Sequence, residues 1–309
     1  MIGRMPLSVG LSACLLLPAL LGQAPASDDG PAKPDAPAKV RRERLRELYL
    51  GDAASYVIHC DASRKEKAEI RREPVYSWTN SLQVGGQDGD VFVWICRGRA
   101  EAIGMIYSTP RVEPRRVVHE FHSLSLATLD VERPGGATVW KPLAPGLALK
   151  PLTDAPVPSR SAALRLAQMK ELGRGFAATA VNFQGKEWIL RRLPQPLYRY
   201  QSTDPEVIDG AVFAFVTSAG TDPELILVLE ARKGEGPANP TWQFASVRFT
   251  NMALTLKLHD LEVFEAPLLR REDRRDSLNR YHATTDRTIP AVEEIDYPTT
   301  KALESRPKP

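Results

Sequence analysis

Asp88-Gly89-Asp90-Val91-Phe92-Val93-Trp94, followed by Gly98 and Glu101, returns along the chain as Asp209-Gly210-Ala211-Val212-Phe213-Ala214-Phe215, followed by Gly220 and Glu224. Each stretch reads as a strand entered from an Asp-Gly turn, then a Gly-containing turn and a second strand that opens on Glu. Other landmarks recur in the same order around this pair. Glu47-Leu48 and Glu171-Leu172 lie 124 residues apart, Pro74-x-Tyr76 and Pro196-x-Tyr198 122, and the two Asp-Gly pairs 121. Glu101 and Glu224 are 123 apart, Phe121 with Ser123 and Phe244 with Ser246 also 123, and Trp140 and Phe264 124. An offset that drifts so little argues for tandem duplication. The period is far beyond that of a solenoid repeat, so each copy is a domain or half-domain.

The elements of one copy follow from periodicity. Leu45, Leu48, Tyr49 and Ala53 recur at helical spacing between charged residues, which predicts an amphipathic helix lying on a sheet. Strand-length segments follow at 55–59, 68–72, 75–79, 91–96, 101–108, 117–126 and 137–141, separated by Gly, Pro and Asp-Gly punctuation. Connections this short exclude crossover helices, so the strands form an antiparallel meander. After a Pro-rich linker the order repeats. Ser159 or Ser161 caps a helix with the face Leu166, Met169, Leu172 or Gly173, and Phe176, and strands follow at 179–183, 187–192, 197–201, 211–217, 224–232, 241–250, 253–258 and 262–265. The predicted fold class is α+β, two tandem related copies, each an N-terminal helix packed on a curled antiparallel β-meander. The domain layout is 40–141 for the first copy, a linker at 142–158 that favours separate bodies, and 159–268 for the second. The mixed-charge tail 269–309 is expected to be largely disordered, with a short docked piece at most.

At the N-terminus, Arg4, the apolar run Leu7 to Leu21 and Ala24-Pro25-Ala26 form a secretory signal with its cleavage site, giving a signal peptide at 1–26 and a disordered tether at 27–39. Export to the periplasm or the medium is expected, with no transmembrane span after cleavage. Leu11-Ser12-Ala13-Cys14 offers lipid anchoring at Cys14 as a lesser alternative. The remaining cysteines, Cys60 and Cys96, are candidates for a disulfide in an oxidising compartment. A net charge of +3 with both signs interspersed gives no field that would recruit nucleic acid.

Three groups are candidates for chemistry. On a strand, His119-Glu120-Phe121-His122 puts Glu120 and His122 on one face and His119 on the other. Glu120 and His122 would then chelate a metal given a third ligand from a neighbouring strand, although their spacing is not that of a helical zinc motif. The constant offset matches them to Gln243 and Ala245, so this site does not recur. Tyr76 with Trp78, and Tyr198 with Tyr200, put rings at alternate positions in both copies, either as core or as the lining of a groove. The recurring Asp88, Asp209, Glu101 and Glu224 read as turn and solvated strand-end residues. No Gly-rich phosphate loop, nucleophile motif or cofactor signature is present, and no cofactor is predicted.

HEFHSLS at 119–125, the segment 193–224 and RLAQMKEL at 165–172 together resemble a family of uncharacterised exported bacterial proteins, over roughly Arg41 to Leu268. The resemblance implies export and one ancestral architecture, and it transfers no site. Two function classes follow. The first is a non-catalytic binding or interaction protein of the cell envelope or beyond, using an aromatic-lined sheet face or the cleft between copies for a ligand or protein. The second is a metal-assisted hydrolase with a site around Glu120 and His122, joined by His119.

Overall fold

The computed structural model describes residues 36–61, 63–80, 87–109, 114–134, 138–218, 220–234 and 240–289. The first half runs α1 (Ala36–Ala54), β1 (Val57–His59), β2 (Glu69–Ile70), β3 (Tyr76–Asn80), β4 (Gln87–Cys96), β5 (Arg99–Thr109), β6 (Arg115–Ser123), β7 (Asp130–Glu132) and β8 (Thr138–Trp140). The second runs β9 (Lys150–Pro151), α2 (Ala162–Leu172), β10 (Phe176–Val181), β11 (Glu187–Arg192), β12 (Tyr198–Tyr200), β13 (Val207–Val216), β14 (Pro223–Arg232), β15 (Thr241–Arg248), β16 (Ala253–Leu258) and β17 (Leu261–Ala266). A short α3 (Arg271–Arg275) and β18 (Tyr281–Ile289) complete the chain. The fold is α+β, dominated by antiparallel strands.

The apolar runs of β4, β13 and β14 do not alternate with polar residues because both faces of their sheets are covered. One face of β4 gives Phe92 and Trp94 to a core under α1, where Leu45, Tyr49 and Ala53 pack with Phe121 and Trp140. The other face gives Val91 and Val93 to a core shared with Val212 and Ala214 of β13 and Ile226 and Val228 of β14. The far face of β13 and β14 then packs Phe213, Phe215, Leu225 and Leu227 with Met169 of α2. The order is therefore helix, sheet, sheet, helix, and the two central sheets share one core. In the first half, β18-β6-β5-β4-β2 form one sheet with β3 on β4, and β1-β7-β8 form another. In the second, the corresponding strands join into a curled sheet in the order β17-β16-β10-β11-β13-β14-β15-β9.

Strand pairing follows one plan in both halves. Trp78 faces Gly89 and Tyr200 faces Gly210; Phe92 faces Gly104 and Phe213 faces Leu227; Val131 faces Trp140 and Leu256 faces Phe264. The irregularity in β4 between Trp94 and Ile95 recurs in β13 between Phe215 and Val216. In β6 the register corrects the sequence alignment: Gly104 faces Phe121 while Leu227 faces Ser246, so the offset there is 125 rather than 123. His119, Glu120 and His122 therefore correspond to Phe244, Ala245 and Val247.

Three further expectations change. Asp88-Gly89 and Asp209-Gly210 lie inside β4 and β13 rather than in turns. Each Gly makes room for a ring: a Cβ on Gly89 would stand 2.6 Å from the Trp78 ring, and one on Gly210 2.3 Å from the Tyr200 ring. The Asp side chains are drawn in by the helices, Asp88 to a half-buried and Asp209 to a buried position. Arg42 of α1 reaches Asp88 at 3.4 Å and the neighbouring Asp90 at 2.5 Å, and Arg165 of α2 holds Asp209 at 2.8 Å. The tail supplies β18, which runs along β6 from Tyr281–His122 to Ile289–Arg115 and buries Tyr281, Ala283 and Ile289. β9, between the halves, lies along β15 of the second half, while β18, after the second half, lies along β6 of the first. Each half's sheet thus ends on a strand that follows the other half's meander. The signal-peptide and Cys14 expectations lie outside the described residues. No helix among the described residues is long and apolar enough to cross a membrane.

Candidate functional site in the cleft between halves

The halves meet through reciprocal hairpin contacts. At one end, Thr203 N donates to Arg97 O at 2.8 Å; at the other, Thr221 N donates to Thr79 O at 3.3 Å and Thr79 N to Thr221 Oγ1 at 3.1 Å. Beside the second contact opens a cleft of about 430 Å³, walled by Trp78, Tyr107 and Glu120 of the first half and Trp188, Asp222 and Glu224 of the second.

Three carboxylates face one another across it. Glu224 is buried, and its ionised form is disfavoured first by burial and then by Asp222, which together push its carboxyl well above the ordinary range. The Thr250 hydroxyl acts the other way, favouring the ionised form. Asp222 is raised by burial and accepts a hydrogen bond from Asn80 Nδ2 at 3.3 Å. Glu120 is raised by burial too, although Tyr107 and Tyr281 donate their hydroxyls to it at 2.7 and 3.2 Å. Arg274 of α3 also borders the cleft and moderates the Glu120 shift, but among the described residues none of the three carboxylates has an ion-pair partner within 4 Å. Trp78 is 2% exposed, and its indole N–H has no acceptor.

The corresponding place at the other end of the interface is filled. Leu124 N donates to Glu101 O at 2.8 Å where Phe249 N donates to Glu224 O at 2.8 Å, and the Ser125 hydroxyl favours ionised Glu101 as the Thr250 hydroxyl favours ionised Glu224. The residue two before the Glu differs: it is Arg99 in one case and Asp222 in the other. Arg99 is 4% exposed and spans the halves, with Nε 2.8 Å from Glu230 Oε1, Nη1 3.1 Å from Glu101 Oε1 and Nη1 2.8 Å from Leu124 O. The buried Glu230 and the half-buried Glu101 thus share one internal guanidinium.

The residues singled out in the sequence are divided among different places. Glu120 enters the cleft. His122 lies on the same face of β6, but it donates Nδ1–H to its neighbour's carbonyl, Ser123 O, at 2.8 Å, and burial lowers its pKa to about 3. His119 faces the opposite way, between Tyr56 Oη at 2.6 Å on Nδ1 and Asp52 Oδ2 at 3.2 Å on Nε2. Among the described residues, the group with metal-ligand spacing is Asp52, His119 and Asp286, which does not include Glu120 or His122. Its two carboxylates are already engaged, Asp52 by Arg287 at 2.7 Å and Asp286 by Arg133. Trp78 and Tyr200 are buried in the shared core, with Tyr76 and Tyr198 at its margin. Tyr200 donates to Glu230 at 2.6 Å and Tyr198 to Gly98 O at 3.3 Å. Cys60 and Cys96 lie near each other as free thiols. Asp222 and Arg99 escaped the sequence reading although the 123-residue offset of Glu101 and Glu224 aligns them, because nothing in the sequence shows that Arg99 turns inward to Glu230 of the other half. The chain matches no family model, no curated protein and no solved structure.

Proposed function

We propose that this is a non-catalytic exported binding protein, built by duplication of one helix-and-meander unit, that takes its ligand in the cleft between the two halves. The observation that carries the reading is the cleft of about 430 Å³ in which Glu120, Asp222 and Glu224 are drawn together with no ion-pair partner within 4 Å among the described residues. Holding carboxylates in this way works against stability, and such sites are enriched where ligands bind. Duplication is supported by the common strand pairing, the shared irregularity in β4 and β13, and the exchange of β9 and β18 between halves. It suits a binding role because it creates an interface without requiring chemistry. Export rests on the leader-like segment 1–26.

The metal-assisted hydrolase has less support. His122 uses one ring nitrogen on its own strand, and a metal bridging it to Glu120 would have to displace two tyrosines. The binding reading is tested by screening small charged and neutral molecules for thermal stabilisation of the mature chain and of Asn251→Trp, a substitution that fills the cleft. Ligands whose effect disappears in the variant support the reading. Stabilisation unaffected by the variant throughout the screen, or no stabilisation at all, refutes it.

A further inference from the structure

The two ends of the interface have the same carboxylate in the same setting and opposite solutions for its charge. Glu101 and Glu224 share the backbone hydrogen bond from Leu124 or Phe249 and a hydroxyl, of Ser125 or Thr250, that favours the ionised carboxylate. At the Glu101 end the chain fills the space with the Arg99 guanidinium, which also reaches Glu230 across the interface. At the Glu224 end the matching side chain is Asp222, so a cation is replaced by a third negative group. Glu230 is matched by Tyr107, and the second carboxylate comes instead from Glu120 on the adjacent strand, through the Tyr107 hydroxyl. What remains is a carboxylate set and an opening where the other end holds a guanidinium.

We infer that the cleft binds an alkylguanidinium, seated among Glu224, Asp222 and Glu120 as Arg99 is seated between Glu101 and Glu230. The inference rests on the binding reading above and narrows it to a ligand class. A planar fork of N–H donors suits several converging carboxylate oxygens better than a compact ion does. The cleft also offers apolar walls for an alkyl stem, from Trp78, Met105 and Phe249. The buried Trp78 indole N–H, which has no acceptor in the protein, supplies a donor for an oxygen or carboxylate at the ligand's other end. Arg274 does not already play the Arg99 part: it is half-exposed on α3, its Nε has no partner, and it makes no ion pair within 4 Å among the described residues.

The guanidinium can belong to a small molecule or to an arginine side chain of a partner protein, and the probes separate these. Calorimetric titration of the mature chain uses agmatine, a capped Gly-Arg-Gly tripeptide and, as the uncharged isostere, butylurea. Agmatine or the tripeptide is expected to bind, the tighter of the two identifying the source, and butylurea to bind at least tenfold more weakly. Glu224→Gln, which keeps the shape of the site, is expected to weaken agmatine about tenfold, equivalent to about 1.4 kcal/mol. Asp222→Arg installs the internal cation of the other end and is expected to abolish binding while raising the melting temperature. Equal binding of agmatine and butylurea overturns the inference, as does agmatine binding that Glu224→Gln and Asp222→Arg leave unchanged. If neutral molecules bind in a manner lost in Asn251→Trp while agmatine does not, the cleft stands as a binding site and the guanidinium assignment falls. If no binding depends on Asn251→Trp, the cleft reading falls first and takes the assignment with it.

Discussion

Replacing Arg99 by Met tests whether the filled end of the interface depends on its internal cation. Arg99 makes four hydrogen bonds from one buried guanidinium, to Glu230, Glu101, Leu124 O and Ala100 O. Met fills most of the same volume, so the variant removes charge and donors more than packing. The Glu230 side chain is fully buried and keeps only the Tyr200 hydroxyl at 2.6 Å and Arg232 at 2.8 Å; Glu101 keeps Ser125. Removing one partner of a buried ion pair typically costs about 3–5 kcal/mol. Because Glu230 retains Arg232, the lower part of that range, about 3 kcal/mol, is expected at pH 7.5 in urea unfolding followed by tryptophan fluorescence. The penalty must also depend on pH. Burial alone would raise Glu230, but Arg99, Tyr200 and Arg232 hold it below the ordinary carboxylate range, so in the wild type it contributes stability above its unfolded pKa, and this is lost as pH falls. Without Arg99 that contribution shrinks, and both carboxyls can take up protons in the folded state, so the difference between variant and wild type should narrow from pH 7.5 to pH 5. The triple variant Arg99→Met/Glu101→Gln/Glu230→Gln should recover most of the loss. A penalty below about 1 kcal/mol, or one that is the same at both pH values, refutes the account.

Three other perturbations probe the scaffold. Burial lowers the His122 pKa to about 3, so below its unfolded value of about 6.5 the unfolded chain takes a proton that the native chain refuses, and stability present above that value is lost as pH falls towards 3. The loss from this group at pH 4.5 is about 3 kcal/mol, and denaturation of His122→Leu should show a correspondingly shallower acid slope, whereas an unchanged slope would mean that the imidazole is accessible to protons. Gly210→Ala puts a methyl group 2.3 Å from the Tyr200 ring and should cost about 1–3 kcal/mol in urea unfolding; a neutral result would show that the ring moves aside freely. Oxidising the adjacent Cys60 and Cys96 should close a 36-residue loop, lower the mass by about 2 Da and stabilise by about 4 kcal/mol, which intact-mass measurement and unfolding with and without reductant will detect.

Much of the strand plan was legible because each meander strand carries its own signal. The apolar periods of 187–192 and 253–258 coincide with β11 and β16, and the α1 face Leu45, Tyr49 and Ala53 packs as its spacing predicts. Local signals failed where a distant contact overrode them. Asp-Gly is strong turn chemistry, yet a helix-borne Arg in each half pairs with the Asp, Arg42 with Asp88 and Arg165 with Asp209, and a ring from the neighbouring strand needs the Gly. The tail looked too polar to pack because β18 buries Tyr281, His282, Ala283 and Ile289 but leaves 284–287 half-covered and Thr288 exposed at the sheet edge. No local reading could place it beside β6, from which it is separated by the whole second half.

The candidate site was half legible for the same reason. Glu120 was noticed for its neighbours on β6, and the structure puts it to use with a different set of partners, Tyr107 and Tyr281 from the two flanking strands. Glu101 and Glu224 were seen to recur and were read as solvated strand ends, which suits neither: Glu101 is met by Arg99, and Glu224 is buried opposite Asp222. A recurring residue gives no functional signal while its setting recurs as well. Here the setting changes sign at one position, Arg99 to Asp222, next to an unchanged carboxylate. Together with Tyr107 in the place of Glu230, that reversal separates a closed ion-pair network from an open acidic cleft, so function is to be sought where the two halves differ rather than in the strands they share.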